Sequence, residues 1–492
     1  MSDYKHGTYG EFAASMGGQA TQGNTVAVYV GIAPVNLVRG YSKFVNTPVK
    51  LTSFESVKRS MGYTPDWDLF DLCEAFYVHF NNPDGNVGPI VAINILDPAV
   101  HKKEKATSAT LTFVNGRASF QSNTIILDTL LLSNMVEGTD YSVDYDFERS
   151  RVVVTSLSDA HVSDTVNITY HEVDPLLVEN ENLIGDATDG GVYTGLGCIE
   201  LSYPELGLIP NLILSPGWSY EPDVYRAMLK AATKINGHWD AFVYAEITTY
   251  DSDKNADVDT IEKAIEWQTA NGYTSERSKV FWPMVEDKDG RFFHIATLAA
   301  WRNMMVDASH DGVPMETCSN KPIPVAKQIF SYSSKNRGFD QQRANKLNEN
   351  GITTACYWGG QWVLWGPHTA AYKHGEAQDN RVIFDNTMRM MMYVLNSFQQ
   401  EHALTIDQPM TRAMADTIRN REQEKADALV AIGAIIGNPV VEFRESDNST
   451  AELVQGNFVW VRNETYTTPF KSGLMRVGYT TDGFASFFEE VE

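Results

Sequence analysis

Short apolar runs rich in β-branched residues recur along this chain, separated by stretches whose apolar residues fall at helical spacing. Residues 26–33 (VAVYVGIA), 89–96 (PIVAINIL), 210–217 (PNLILSPG), 240–247 (DAFVYAEI) and 279–286 (KVFWPMVE) are runs of the first kind. Such runs, with no polar alternation, fit strands buried on both faces. Residues 67–80, 221–236, 260–271 and 293–309 carry the helical spacing. Pro222 suits a first helical turn, Asp259 with Glu262 has the spacing of a capping box, and Gly272 marks a helix end. Strand, helix and strand in alternation, with short connections, predict a doubly wound α/β sheet covered on both faces.

The pattern is interrupted once. From 98 to 175 helix formers thin out, and ATLTFVN, TIILDTLLL, DYSVDYDFERSRVVVTS and TVNITYHEV follow one another between turn residues. The fold expected is therefore α+β and multidomain. An α/β sheet domain over 25–97 and 176–345 carries an inserted all-β sandwich or barrel at 98–175, and a C-terminal α+β domain spans 346–465. That last domain is expected to hold helices at 380–404 and 411–436, separated by Pro409, then strands at 438–446, 452–465 and 473–481. The Gly-rich, polar segment 1–24 cannot bury enough apolar surface to fold on itself and reads as an extended arm; 466–492 reads as a second arm with strand patterning.

Composition narrows the function classes. Lys plus Arg is 39 against 63 Asp plus Glu, a net charge of −24, which repels phosphate backbones and argues against nucleic-acid binding. No run of about 18 apolar residues suggests membrane insertion, and the first 24 residues lack the pattern of a secretory signal, so the reading is of a protein made in the cytoplasm. Cys73, Cys198, Cys318 and Cys356 stand far apart, outside any metal or redox motif, and read as free thiols. Catalytic signatures are missing: there is no GxSxG elbow, and GGVYTGLG at 190–197 carries no GK[ST]. A Cys356–His368 dyad and a calcium loop in DSDKNADVD (251–259) are weaker readings than a structural thiol and helix capping. No cofactor, metal or catalytic residue is assigned.

The densest aromatic stretch is NGITTACYWGGQWVLWGPHTA (350–370), which reads as strand, Gly-Gly turn, strand. Together with LGLIPNLILSPGW (206–218) and the long helices leading into GNFVWVRNETYTTP (456–469), it resembles the tail sheath proteins of contractile bacteriophages. The residues carrying the resemblance are Gly351, Ile352, Gly359, Gly360, Trp365, Gly366 and Thr369; the family commonly has arginine where this chain has His368. EGTDYSVDYDFERSRVVV (137–154) is similar to the inserted β modules of sheaths from Mu-like phages.

The resemblance implies a non-enzymatic virion component, assembled in the bacterial cytoplasm, that polymerises helically around a tail tube and contracts to drive the tube through the host envelope. It implies as partners further copies of the chain, joined by strands exchanged through terminal arms, together with the tail tube, baseplate and tail terminator proteins. It also places the C-terminal domain against the tube, where Arg412, Arg419, Arg421 and Lys425 are candidate contacts, although Asp416, Glu422 and Glu424 share their helix. Two other readings stand beside it. One is a carbohydrate-active enzyme or depolymerase whose aromatics stack sugars; the other is a surface-binding adhesin module.

Overall fold

The computed structural model describes residues 25–158, 161–188, 190–252, 254–330 and 339–487, so the arm at 1–24 lies outside the described residues. Its centre is an eight-stranded sheet. In chain order the strands are β1 (Ala27–Gly31), β2 (Pro48–Leu51), β3 (Ile90–Asn94), β4 (Leu212–Leu214), β5 (Phe242–Glu246), β6 (Ser278–Phe281), β7 (Ile352–Trp358) and β8 (Gln361–Trp365). Across the sheet they run β8-β7-β6-β5-β4-β1-β3-β2.

Strands β3, β1, β4, β5, β6 and β7 are parallel, and only the edge strands β2 and β8 run antiparallel to their neighbours. β1, β3, β4, β5 and β6 are buried at every position, because crossover connections put chain on both faces. From β1 the chain builds outward to β3 and β2, returns at β4, and then builds the other way. The order thus reverses between β1 and β4, the place where open α/β sheets leave a crevice beyond the strand ends. Helices α1 (Leu72–Phe80) and α2 (Ile295–Ala308) pack on each other and on the sheet.

Between β3 and β4 the chain forms two three-stranded antiparallel sheets. One joins Thr107–Thr112, Thr165–Tyr170 and the short Leu131–Leu132; the other joins Arg117–Gln121, Arg151–Ser156 and Tyr141–Asp146. They enclose their own core, with Phe113, Tyr141, Val152, Val154 and Ile168 buried together. Asn36 ties this unit to the segment after β1, donating to Asn123 O at 3.1 Å and Ile125 O at 2.8 Å. The expected strand at 124–132 is broken by a 3₁₀ turn, Leu127–Thr129, and pairs only at an isolated bridge from Ile125 to Glu172 and at Leu131–Leu132.

The long helices are shorter than the sequence suggests. α3 spans Asp385–Glu401, preceded by a 3₁₀ turn at Asn380–Val382, and α4 spans Arg412–Ala431. α4 stops because Gly433 takes φ 80°, donates to Val430 O at 3.0 Å, and lets Ala434 N reach Leu429 O at 2.9 Å, a Schellman closure that frees Ile435 to start a strand. That strand, β9 (Ile435–Glu442), pairs antiparallel with β10 (Val461–Tyr466).

Two further expectations fail for local reasons. The strand expected at 452–465 starts only at Val461, because the Ser449 hydroxyl accepts from Glu452 N at 3.3 Å and starts a short helix, Thr450–Val454. No strand forms at 473–481, where every residue is exposed and no neighbouring strand among the described residues offers backbone partners. The cap of the helix Ile261–Ala270 is also displaced by one residue: Thr260 accepts from Lys263 N at 3.2 Å, while Asp259 pairs with the Lys263 ammonium at 2.7 Å.

Candidate functional site

The β7–β8 hairpin is the last piece of the central sheet, and its turn is set by two left-handed glycines, Gly359 at φ 62° and Gly360 at φ 87°. Two consecutive positive φ values are what a two-residue turn between twisted strands requires. Open space surrounds both positions, so conformation alone demands glycine there. At the base of the hairpin the demand is steric. A Cβ on Gly351 would lie 2.5 Å from Thr369 O, and one on Gly366 would lie 2.8 Å from Asn348 Nδ2 and 2.9 Å from Thr353 Oγ1.

Those close approaches build a knot. Asn348 Nδ2 donates to Ile352 O at 2.8 Å and Trp365 O at 2.9 Å, clamping the two strands, and Trp365 Nε1 reaches Asn345 Oδ1 at 2.9 Å. The buried Thr369 hydroxyl donates to Val382 O. Beneath the turn that follows β8 lies Lys279, fully buried on β6; its ammonium donates to Gly366 O at 2.7 Å and to Asp385 Oδ2 at 2.6 Å. Asp385 also accepts from the Thr317 hydroxyl at 3.1 Å. One turn along α3, Arg389 forms a fork with Asp307 of α2, and the Thr25 hydroxyl donates to the same carboxylate at 2.5 Å. These buried pairs bolt the head of α3 to the sheet.

Gly351, Ile352, Trp365, Gly366 and Thr369 are therefore brought together as a fastening at the base of the hairpin, whereas Gly359 and Gly360 lie at its far end. His368 Nδ1 is taken by Ile383 O at 2.7 Å and its ring stacks on Tyr372 at 3.6 Å; burial, partly opposed by that bond, pulls its pKa down to about 3. The Cys356 thiol is buried and its pKa is pushed up by that burial, the reverse of an activated nucleophile. At the far end of the hairpin Tyr357 and Trp358 are exposed, Tyr357 set edge-on to Trp362 and donating to Gly360 O at 3.0 Å, and Trp358 tilted against Trp365.

Each of the four basic residues on α4 already has an acidic neighbour. Arg412 pairs with Asp416 at 3.0 Å, Arg419 lies 3.9 Å from the same carboxylate, Arg421 meets Glu401 at 3.1 Å, and Lys425 reaches Glu401 and, at 2.9 Å, Glu422. Glu401, His402 and Glu422 offer ligand atoms within 4.8 Å of one another, the one metal-like grouping among the described residues, but Lys425 and Arg462 lie against its carboxylates. In the 251–259 segment Asp251 accepts from Lys254 N at 3.1 Å and pairs with the Lys254 ammonium; Asp253 lies outside the described residues.

Sequence reasoning missed Lys279, Asp307, Asp385 and Arg389. The signal available was a lysine opening an otherwise apolar strand, since a buried lysine requires a buried acid.

No family model matches the chain. It is 24% identical over 472 residues to the tail sheath protein of Burkholderia phage BcepMu, covering 92% of this chain and 91% of that one. It is 21% identical over 326 residues to the tail sheath protein of Escherichia phage P2, covering 63% of this chain and 73% of the relative. Among solved structures, a PVC sheath complex of an extracellular contractile injection system, in its contracted state, shares the fold with TM-score 0.54 at 10% identity, over 98% of this chain and 99% of that one. The chain is thus similar over 92% of its length to a phage tail sheath protein, and its fold is shared with a sheath of a contractile injection system.

Proposed function

We propose that this protein is the structural subunit of a contractile tail sheath, polymerising helically around a tail tube and contracting to drive it through a cell envelope. The observation that carries this is the relation to a phage tail sheath protein over 92% of the chain. The role is mechanical and non-enzymatic. The protein's place is the virion, after assembly in the host cytoplasm, and its partners are further copies, the tube, the baseplate and the tail terminator. Among the described residues no helix is long and apolar enough to cross a membrane.

Physical features of the termini support linkage between copies. Residues 467–481 have no helix or strand, and apolar side chains there face solvent: Phe470 is 91% exposed and Val477 86%. Such a segment gains its hydrogen bonds and its burial by adding to a neighbour's sheet. The two-stranded β9–β10 sheet, with Ile436 and Val440 exposed, offers an open edge to receive one. We assign 25–97 and 176–345 to the sheath body together with the β7–β8 hairpin, which completes the central sheet and moves the expected boundary at 346 beyond β8; 98–175 to an outward module; the rest of 346–465 to the tube-proximal domain; and 1–24 and 466–492 to the linking arms. Gly351, Ile352, Trp365, Gly366 and Thr369 fasten body to tube-proximal domain at the base of the hairpin, and Gly359 and Gly360 set its turn.

Negative-stain microscopy of the purified protein tests the reading: striated hollow tubes are expected, and only discrete particles under every assembly condition would refute it. Removing 1–24 or 467–492 is expected to abolish tubes while leaving a cooperatively folded subunit; tubes of normal length from either truncation would remove the arms from the mechanism.

A further inference from the structure

Where the strand order reverses between β1 and β4, a cavity of about 810 Å³ opens, within the range of small-molecule sites. Its aromatic lining is Trp67, Trp218, Tyr220, Tyr250 and Trp267. Among the described residues its acids are Asp68, Asp71, Glu221, Glu246 and Asp251, against Lys254 and His294 as bases. Both bases are engaged: Lys254 with Asp251 at 3.3 Å, and His294 with Glu74 at 2.6 Å. Asp68, Asp71, Glu221 and Glu246 have no lysine or arginine partner among the described residues, so the cavity carries uncompensated acid.

The polar groups at its floor are positioned by the sheet. Trp218 Nε1 donates to Asp71 Oδ2 at 2.7 Å, and Ile32 N, just past β1, donates to Asp71 Oδ1 at 2.9 Å. Glu246, the last residue of β5, takes the Ser219 hydroxyl on Oε2. Its other oxygen, Oε1, has no hydrogen-bond partner among the described residues although Glu246 is only 6% exposed. An orphaned carboxylate oxygen at that depth costs free energy unless something satisfies it.

We propose that this cavity is a binding site for a small organic cation, whose ammonium or guanidinium group sits against Glu246 Oε1 and Asp71 and whose stem lies along the tryptophans. The free acid supplies the charge, and tryptophan faces favour a cation. A single metal ion fits less well. Among the described residues the grouping of three or more ligands with metal spacing lies at Glu401, His402 and Glu422, on and beside α3 and α4, and the cavity is far larger than one ion. The same chemistry is carried by a free polyamine-like molecule or by a lysine or arginine of another copy, and assembly separates the two sources.

The test is calorimetric titration of the full-length, unassembled chain with agmatine, with 1-butanol as the uncharged control, following tryptophan fluorescence in parallel. Saturable one-site binding of agmatine and none of butanol is expected. Glu246→Gln and Asp71→Asn are each expected to weaken it by about tenfold or more, with thermal unfolding still cooperative. No saturable agmatine binding, or unchanged affinity in both variants, would overturn the proposal. Repeating the titration on assembled tubes fixes the source. Retained binding assigns a free cation, and binding lost only on assembly assigns a basic side chain of a neighbouring copy.

Discussion

Two buried charge centres lie in the same sheet domain and are built on opposite plans. The first joins Lys279 to Asp385 and Arg389 to Asp307: two cations and two anions, all buried, with Lys279, Asp307 and Asp385 fully so. The second gathers Asp71, Glu74 and Glu246 around a single imidazole, His294, and opens on a cavity. The first joins β6 and α2 to the head of α3 and leaves no acid over. The second is out of balance. Burial drives the Glu246 carboxyl up to about 7 against the opposing pull of His294. Burial likewise drives Asp71 to about 7, although Trp218 and Ile32 hydrogen-bond its anion. A matched centre fixes a fold; an unmatched one stores free energy that a ligand or a proton can release.

The sharpest way to break this contrast is to unbalance the matched centre. Lys279→Met strips Asp385 of its cation in the core, and stability is expected to fall by about 3–5 kcal/mol in denaturant titrations. Lys279→Met with Asp385→Asn removes both charges while keeping an acceptor for Thr317 and is expected to recover most of that loss. If the double variant is no more stable than the single one, the pair is not what holds α3 to the sheet.

The unmatched centre is expected to respond to pH in the opposite sense from an ordinary salt bridge. A carboxyl raised on folding contributes stability that is complete below its unfolded pKa, about 4.5 for Glu246, and is lost as pH rises through its folded value of about 7. His294 follows the same rule in a higher window. Burial pulls its pKa down, but Glu74, Glu246 and Asp71 outweigh that and hold it at about 9, so its contribution is complete below 6.5 and lost toward pH 9. Tyr29 and Tyr273 also face Glu246, both with pKa values raised by burial, and neither titrates in this window. Glu246→Gln is expected to remove its share of the lower step and leave that of Asp71, whose folded value is also about 7, so that the variant is more stable than the parent above pH 7 by up to about 3 kcal/mol. Melting curves from pH 4 to 8 check it, and identical pH slopes in the two proteins would mean Glu246 is ionised throughout.

The two centres were also unequally hidden from sequence reasoning. The apolar runs at 26–33, 89–96, 210–217 and 240–247 contain β1, β3, β4 and β5, the run at 279–286 covers all of β6 but its first residue, and the Gly359–Gly360 pair does mark a hairpin turn, because periodicity and positive φ are local properties. Lys279 gave a faint signal as a charge opening an apolar run. Glu74 and His294 gave none, standing 220 positions apart and meeting only because α1 packs against the start of α2. The tail at 473–481 failed for the reverse reason: its patterning is that of a strand, but strands need partners, and the described residues of a single chain supply none.

The glycines of the hairpin grade the matched centre from the backbone side. Gly366→Ala forces a Cβ against Thr353 and Asn348 and displaces the carbonyl that holds Lys279, and a loss of about 2 kcal/mol is expected, against about 1 for Gly359→Ala, where only the left-handed conformation resists. Equal losses at both positions would mean that the packing around Gly366 yields without disturbing Lys279.

The smallest effects belong on the surface of α4, where charge is balanced as in the matched centre but is solvated. Arg421, about 60% exposed, pairs with Glu401 at 3.1 Å, and its replacement by alanine is expected to change subunit stability by about 0.5 kcal/mol or less. Assembly is the readout that separates two roles for this residue. If Arg421 only decorates a solvated face, Arg421→Ala tubes form at the parental protein concentration at every ionic strength. If it meets an acidic surface of the tube, assembly on tubes weakens at low salt, where the contact is unscreened, and converges with the parent at high salt, where screening has already removed it. Because Glu401 is shared with Lys425, Lys425→Ala supplies the internal comparison: it lies deeper, touches the buried Glu422 as well, and is expected to cost more stability than Arg421→Ala while changing the salt dependence less.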